Sequence, residues 1–235
     1  MALQKFGIAK GRKGLRKERE ENSVEYANCY KYNYLNLHIL RLNKEFMKKR
    51  IFVAIDISDE ARIKVADYIK DLRGGFSNLR VGWEKAEKLH LTVKFLGDID
   101  SNELQNLIEA VEITAQQISN FKLQISRTGV FPSKRNARIL WLGVDGEHRS
   151  LQKINDILET ECRQKGFVEE NRKFKAHLTI GRLREPNKSK ELIERHLNKT
   201  FAAVKFEISE IVIYESRLQK SGSIYTKYKN LNLQG

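Results

Sequence analysis

The 235-residue chain is short of several things, and each shortage excludes a class of protein. No apolar run approaches the roughly 18 residues that a membrane-spanning helix needs. The basic N-terminal stretch is not followed by the apolar segment of a secretory signal. There are two cysteines, Cys29 and Cys162, far apart and too few for a disulfide framework. Together these point to a soluble protein of a reducing, cytoplasmic compartment that does not engage the membrane. Neither HExxH nor a paired-cysteine motif is present, so zinc catalysis, which normally uses three protein ligands, lacks its set. We expect no metal and no cofactor.

Positive charge, by contrast, is abundant. Lys and Arg number 44 against 30 Asp and Glu, a net charge of +14. Such a field steers polyanions toward the surface without fixing the fold. Nucleic acid or another phosphate-rich partner is favoured, and charge alone does not say whether it is bound or cut.

Residues 1–46 differ from the rest. "KGRKGLRKEREEN" is a dense charged run, and the Asn- and Tyr-rich stretch after it has no clean period. The segment holds 10 basic and 5 acidic residues, net +5, which leaves 14 − 5 = +9 for the remainder. It reads as a basic, disordered N-terminal extension, with Met47 resembling a fresh start. Residues 47–235 form the folded domain. There, "RIFVAIDI" (50–57) is a strand by its β-branched and aromatic content. A helix follows, with Ile63, Ala66, Tyr68, Ile69 and Leu72 at roughly helical spacing. The pattern then runs strand, helix, two strands, helix, strand, helix, two strands. That alternation argues for an α+β fold with a mostly antiparallel sheet and helices outside it.

Two phrases nearly repeat: "HLTVKFLG" from His90 and "HLTIGRLR" from His177, 177 − 90 = 87 residues apart. Solenoid and propeller periods run about 20–50 residues, so this is not such a repeat. Two pseudo-symmetric lobes that each contribute to one central groove account for it. In a strand, residues i and i+2 share a face. His90 and Thr92 therefore look one way while Leu91, Val93 and Phe95 look into the core, and His177 and Thr179 repeat the arrangement. Two imidazoles and two hydroxyls around one groove suit acid–base chemistry at phosphorus. Arg182 would supply charge, although strict alternation places it on the core face. Gly181 would have to mark a bulge or strand end that re-aims it. The remaining histidines, His38, His148 and His196, read as ordinary hydrogen-bonded residues.

These motifs, with "GVFPSKRNARILWLGV" and "IVIYESRLQKSGSIY", make the chain resemble the two-histidine (2H) phosphoesterases. It is most similar to the RNA 2′,3′-cyclic phosphodiesterases, formerly called 2′-5′ RNA ligases. The resemblance implies two pseudo-symmetric lobes about a groove and metal-independent opening of a 2′,3′-cyclic phosphate on RNA or a nucleotide to a 2′-phosphate. Joining of 2′-5′ RNA ends in the same groove, or binding of RNA ends without catalysis, are the alternatives. By resemblance His90 is the proton donor and His177 the acceptor, while Thr92, Thr179 and Arg182 hold the phosphate. The chain departs from the family at Ala86 and Ala176, where Pro is common. Lys94, on the His90 face by alternation, is a further candidate for contact with the RNA backbone, and Phe52 and Phe131 for stacking on a base. No partner subunit is implied, and a monomer is expected.

Because the strands and both histidines lie beyond Met47, a chain beginning there should fold as the full one does. Its thermal midpoint and its turnover of a cyclic mononucleotide should be nearly unchanged. Binding to long RNA should show a flatter salt dependence, since each lost phosphate contact removes about 0.7–0.9 from the slope. A large drop in thermal midpoint on truncation would place 1–46 within the core.

Overall fold

The computed structural model describes residues 48–220 and 222–235. The proposed basic extension, residues 1–46, lies outside the described residues. The first strand, β1 (Lys49–Asp56), leads into α1 (Asp59–Gly75), the short β2 (Val81–Trp83) and β3 (His90–Ile99). Then come α2 (Ser101–Ala115), the hairpin β4 (Phe121–Phe131) and β5 (Ile139–Gly146), α3 (His148–Gln164) and β6 (His177–Leu183). The chain ends with α4 (Lys190–Asn198), β7 (Val204–Ile208), β8 (Glu210–Gln219) and β9 (Gly222–Asn232).

The strands form one sheet in the order β7-β4-β5-β6-β3-β1-β8-β9, with β2 beside β6, and all of these pairings are antiparallel. The sheet has two halves, β7-β4-β5-β6 and β3-β1-β8-β9. They meet at β3 and β6, the two His-x-Thr strands, through the pair Leu91–Leu178. Each half begins its motif with the same unit: β1-α1-β3 in one, β5-α3-β6 in the other. The helices are exchanged, since α1 packs against β7 of the opposite half while α3 packs against β3. This is an α+β fold of two pseudo-symmetric lobes.

Local chemistry explains the elements. Ser58 caps α1 by accepting from Ala61 N–H at 3.2 Å, and Asp100 with Glu103 forms a capping box on α2. The buried face of α1 is Ala61, Val65, Tyr68, Ile69 and Leu72. Ile63, expected on that face, is 62% exposed because the i, i+4, i+8 row runs from Ala61 through Val65 instead. The sequence "AAVKFEISEIVIYESRL" reads as one strand but forms two. It breaks at Ser209, where β7 ends in one half and β8 starts in the other. The three-residue β2 carries too little pattern to be seen in advance.

One irregularity controls the side-chain directions. Thr92 pairs with Ala54 and Lys94 with Val53, so Val93 is an extra residue in β3. This β-bulge reverses the alternation beyond it. Lys94 therefore does not share the face of His90, as strict alternation predicted. It is buried, with its ammonium 2.6 Å from Glu159 Oε2 and 3.2 Å from the Val168 carbonyl. Asn155, also on α3, donates to the Val93 carbonyl at 3.1 Å and holds the bulge itself. Lys94 is thus a structural residue, its ammonium held by Glu159 and the Val168 carbonyl and outside the lining of the cavity beside His90.

Lys94→Met should destabilise the protein by about 1–3 kcal/mol, because the largely buried Glu159 carboxyl loses the ammonium that bonds it. Adding Glu159→Leu should recover most of the loss, since replacing both partners by apolar groups is far cheaper. Urea denaturation of the two variants checks this. Equal stability of Lys94→Met and the parent would contradict the buried pair.

Candidate active site

The turn before β3 sets the position of His90. Arg62 on α1 reaches back to donate to the carbonyls of Ala86 (3.0 Å) and Leu89 (2.8 Å). The same guanidinium is 3.3 Å from Asp56, which also accepts from the Tyr214 hydroxyl at 2.8 Å and pairs with Lys227 at 2.7 Å. With the turn fixed, His90 Nδ1–H donates to the Lys88 carbonyl at 2.7 Å. His177 does the same to the Lys175 carbonyl, also at 2.7 Å. A carbonyl oxygen only accepts, so in both rings Nδ1 carries the proton and Nε2 is left to give or take one. His90 Nε2 accepts from the Thr92 hydroxyl at 3.0 Å.

The antiparallel register crosses the two motifs. With Leu91 opposite Leu178, continuing the pairing sets His90 opposite Thr179 and Thr92 opposite His177. Each imidazole thus has one hydroxyl on its own strand and another across the seam. Beyond each Thr lies a bulge at the same place in the motif: Val93 in β3, and in β6 Ile180, which is skipped between the Thr179–Trp141 and Gly181–Leu140 pairs. The bulge at Ile180 turns Arg182 to the groove, where Nε lies 3.6 Å from Glu84 Oε1. The bulge at Val93 turns Phe95 there too. Expected in the core, Phe95 is 53% exposed and stacks under the Arg50 guanidinium at 4.8 Å.

The groove is a cavity of about 530 Å³ that contains His90, Thr92, His177, Thr179 and Arg182. Arg50, Lys85, Lys88 and Arg184 also line it, so with Arg182 five cations face one carboxylate, Glu84. Such a lining attracts anions. Phe52 is only 3% exposed. Its ring lies 4.9 Å from His90, 5.2 Å from Tyr214 and 5.0 Å from Tyr225, so it packs under the imidazole instead of offering an open stacking face. Phe131 stands edge-on to His177 at 4.8 Å, in a second cavity. Reading the sequence missed Trp83, Tyr225 and Trp141 around these cavities. Tyr225 could have been found from the alternation within "SIYTKYKNL"; β2, which carries Trp83, was not recognised. His196 is a core residue, hydrogen-bonded to Tyr68 and to two backbone carbonyls.

Burial lowers the pKa of both motif histidines below the usual 6.5. At His90 the backbone bond and Asp56 pull the other way, while Arg62 and His177 add to the lowering. At His177 the bond to Lys175 opposes burial and Arg182 reinforces it. Each ring therefore rests neutral near pH 7, and an anion in the groove would favour the protonated form.

The sequence profile described as LigT like Phosphoesterase matches twice, over residues 55–141 and 142–225, one match holding each His-x-Thr motif. The chain belongs to the LigT-like phosphoesterase family. Among its relatives is a Thermotoga maritima protein named RNA 2′,3′-cyclic phosphodiesterase, 31% identical over 79% of this chain and 96% of the relative. A Methanothermobacter thermautotrophicus protein of the same name is 32% identical over 77% of this chain and 96% of its own. The crystal structure of E. coli LigT complexed with 3′-AMP shares the fold: TM-score 0.63 at 24% identity, covering 80% of this chain and 99% of that one.

Titrating the LigT-like domain by NMR should find both motif imidazoles half-protonated below pH 6.5 in the free protein. The sign for stability follows. Between the folded pKa and 6.5 the unfolded chain binds more protons, so stability falls as pH drops through that window. Saturating inorganic phosphate should move both midpoints upward. A free-protein midpoint at or above 6.5 for either ring would contradict this environment.

Proposed function

We propose that this chain hydrolyses 2′,3′-cyclic phosphate ends of RNA or nucleotides to 2′-phosphomonoesters. The observation that carries the reading is the crossed pair of His-x-Thr strands, each imidazole presenting Nε2 beside threonine hydroxyls in a cationic groove. The names of the relatives give the substrate class.

In this reading the phosphate lies between the rings, its non-bridging oxygens bonded by Thr92, Thr179 and Arg182. His177 Nε2 takes a proton from water as its oxygen attacks phosphorus. The bond from phosphorus to the 3′ oxygen breaks, and His90 Nε2–H protonates that leaving oxygen. The 2′-phosphate remains. His90 gains its proton because the bound anion favours the imidazolium. Water and the two rings balance the step, and no metal is required. The net charge of +14 and the two cysteines fit a protein of the cytoplasm acting on RNA ends.

The test is hydrolysis of a 2′,3′-cyclic nucleotide in EDTA, with the product identified as the 2′- or 3′-phosphate. We expect the 2′-phosphate. His90→Ala and His177→Ala should each reduce turnover by about 10²–10⁴-fold while the fold is retained. Formation of longer 2′-5′-linked strands would favour end-joining instead. Wild-type turnover in either variant would remove the two-histidine mechanism.

A further inference from the structure

Glu84 stands against the charge of its surroundings. Among the described residues lining the groove it is the one carboxylate, set with the cations Arg50, Lys85, Lys88, Arg182 and Arg184. We propose that Glu84 is a specificity-determining residue that selects against phosphomonoester dianions. The groove then favours the singly charged cyclic diester and releases its doubly charged product. The inference rests on the cyclic-phosphate reading given above and adds to it how substrate and product are told apart.

A cationic groove has a difficulty with this chemistry. A 2′,3′-cyclic phosphate carries one negative charge, and ring opening converts it to a monoester that carries two above about pH 6. Coulomb attraction grows in proportion to the ligand's charge, so cations that draw the substrate in hold the product more tightly. Product release limits the turnover of many enzymes. A fixed negative charge beside the phosphate acts the other way, repelling the dianion about twice as strongly as the monoanion.

Glu84 is held where such a charge is needed. Its backbone N–H donates to the Ile180 carbonyl at 3.0 Å, which ties it to the bulge that turns Arg182 into the groove. Trp83, just before it, pairs with Gly181. The side chain is 19% exposed, and its Oε1 lies 3.6 Å from Arg182 Nε. That separation is beyond hydrogen-bond reach. Arg182 therefore feels the carboxylate without giving its N–H donors to it, and those donors are left for phosphate oxygens. A pair whose cation is half-exposed also contributes little to stability, so the fold does not account for this carboxylate. Its field extends toward the other ring as well. Burial and then Glu84 hold the Tyr225 hydroxyl above its usual pKa, and Tyr225 stands edge-on to His90 at 5.4 Å.

Adenosine 2′-phosphate and its methyl ester test this, since at about pH 8 they carry two charges and one on the same phosphorus. Calorimetry on the full chain gives their dissociation constants with no turnover involved. Glu84→Gln should tighten the methyl ester by about 3-fold and adenosine 2′-phosphate by about 10-fold, the second gain being roughly the square of the first. Glu84→Asp, which keeps the charge, should leave the ratio of the two constants near that of the parent. Inhibition of cyclic-nucleotide hydrolysis by adenosine 2′-phosphate should strengthen in step in Glu84→Gln. Equal gains for the two ligands, or no gain, would overturn the proposal. Weaker binding of both would overturn it too, by showing that Glu84 only holds Arg182 in place. A charge-dependent gain without cyclic-phosphate hydrolysis sinks only the enzymatic reading; hydrolysis with equal gains sinks only the role of Glu84. Failure of the parent to bind either nucleotide would remove both.

Discussion

The two halves of the sheet touch through a narrow seam, and the site exists because of where that seam falls. Strand β3 is flanked along its length by β1, and β6 by β5, but β3 and β6 are joined at Leu91–Leu178. Both leucines are fully buried. Their neighbours on each strand, His90 with Thr92 and His177 with Thr179, must then face the opposite side together, because alternation leaves no other choice. A shift of one residue at this contact would bury both imidazoles and expose both leucines. The apolar cost of that slip is what keeps four polar side chains converged on one point. The same strands diverge beyond the seam, and β2 occupies the opening beside β6. The groove is the consequence of that divergence.

Convergence carries an electrostatic cost that the site turns to use. Two imidazoles in one buried, cationic place cannot both be charged without an anion to offset them. Burial keeps each below its ordinary pKa, and the carbonyls of Lys88 and Lys175 fix the tautomer. The groove therefore holds two neutral rings, each with Nδ1–H bonded to a backbone carbonyl, and His90 accepts besides from the Thr92 hydroxyl. What separates their roles is the surroundings: His90 has Asp56 and Arg62 behind it, whereas His177 has Arg182 ahead. Asp56 favours charge on His90 while Arg62 opposes it, and Arg182 disfavours charge on His177, so each ring answers to a different set of neighbours.

Much of this was legible in the sequence, and the illegible part has one main cause. Period-two alternation placed His90, Thr92, His177 and Thr179 on a common face, and the matched copies implied two lobes. Alternation failed three residues after each histidine, where Val93 and Ile180 are inserted into their strands. In β6 the following Gly181 signalled an irregularity, so the turning of Arg182 could be anticipated. In β3 the equivalent residue is Lys94, which signals nothing, and Lys94 and Phe95 were assigned to each other's faces. The bulge is held by Asn155, which is 62 residues away, and the Lys94–Glu159 pair spans 65. Contacts at that separation leave no local trace.

Pseudo-symmetry also shows how one repeated phrase yields an asymmetric site. Counting five residues from each histidine, past the matched bulge, gives Phe95 in one half and Arg182 in the other, both turned to the groove. Opposite each threonine stands Ala54 in one half and Trp141 in the other. The small residue leaves room for Phe52 and Tyr214 to pack beneath His90. The large one lies over Gly129 and opens an aromatic cavity beside His177. The backbone thus repeats what both halves must do alike, which is to present an imidazole and a hydroxyl. The side chains at the equivalent flanking positions differ, Phe95 and Ala54 in one half against Arg182 and Trp141 in the other, so like backbones set the two imidazoles in unlike surroundings.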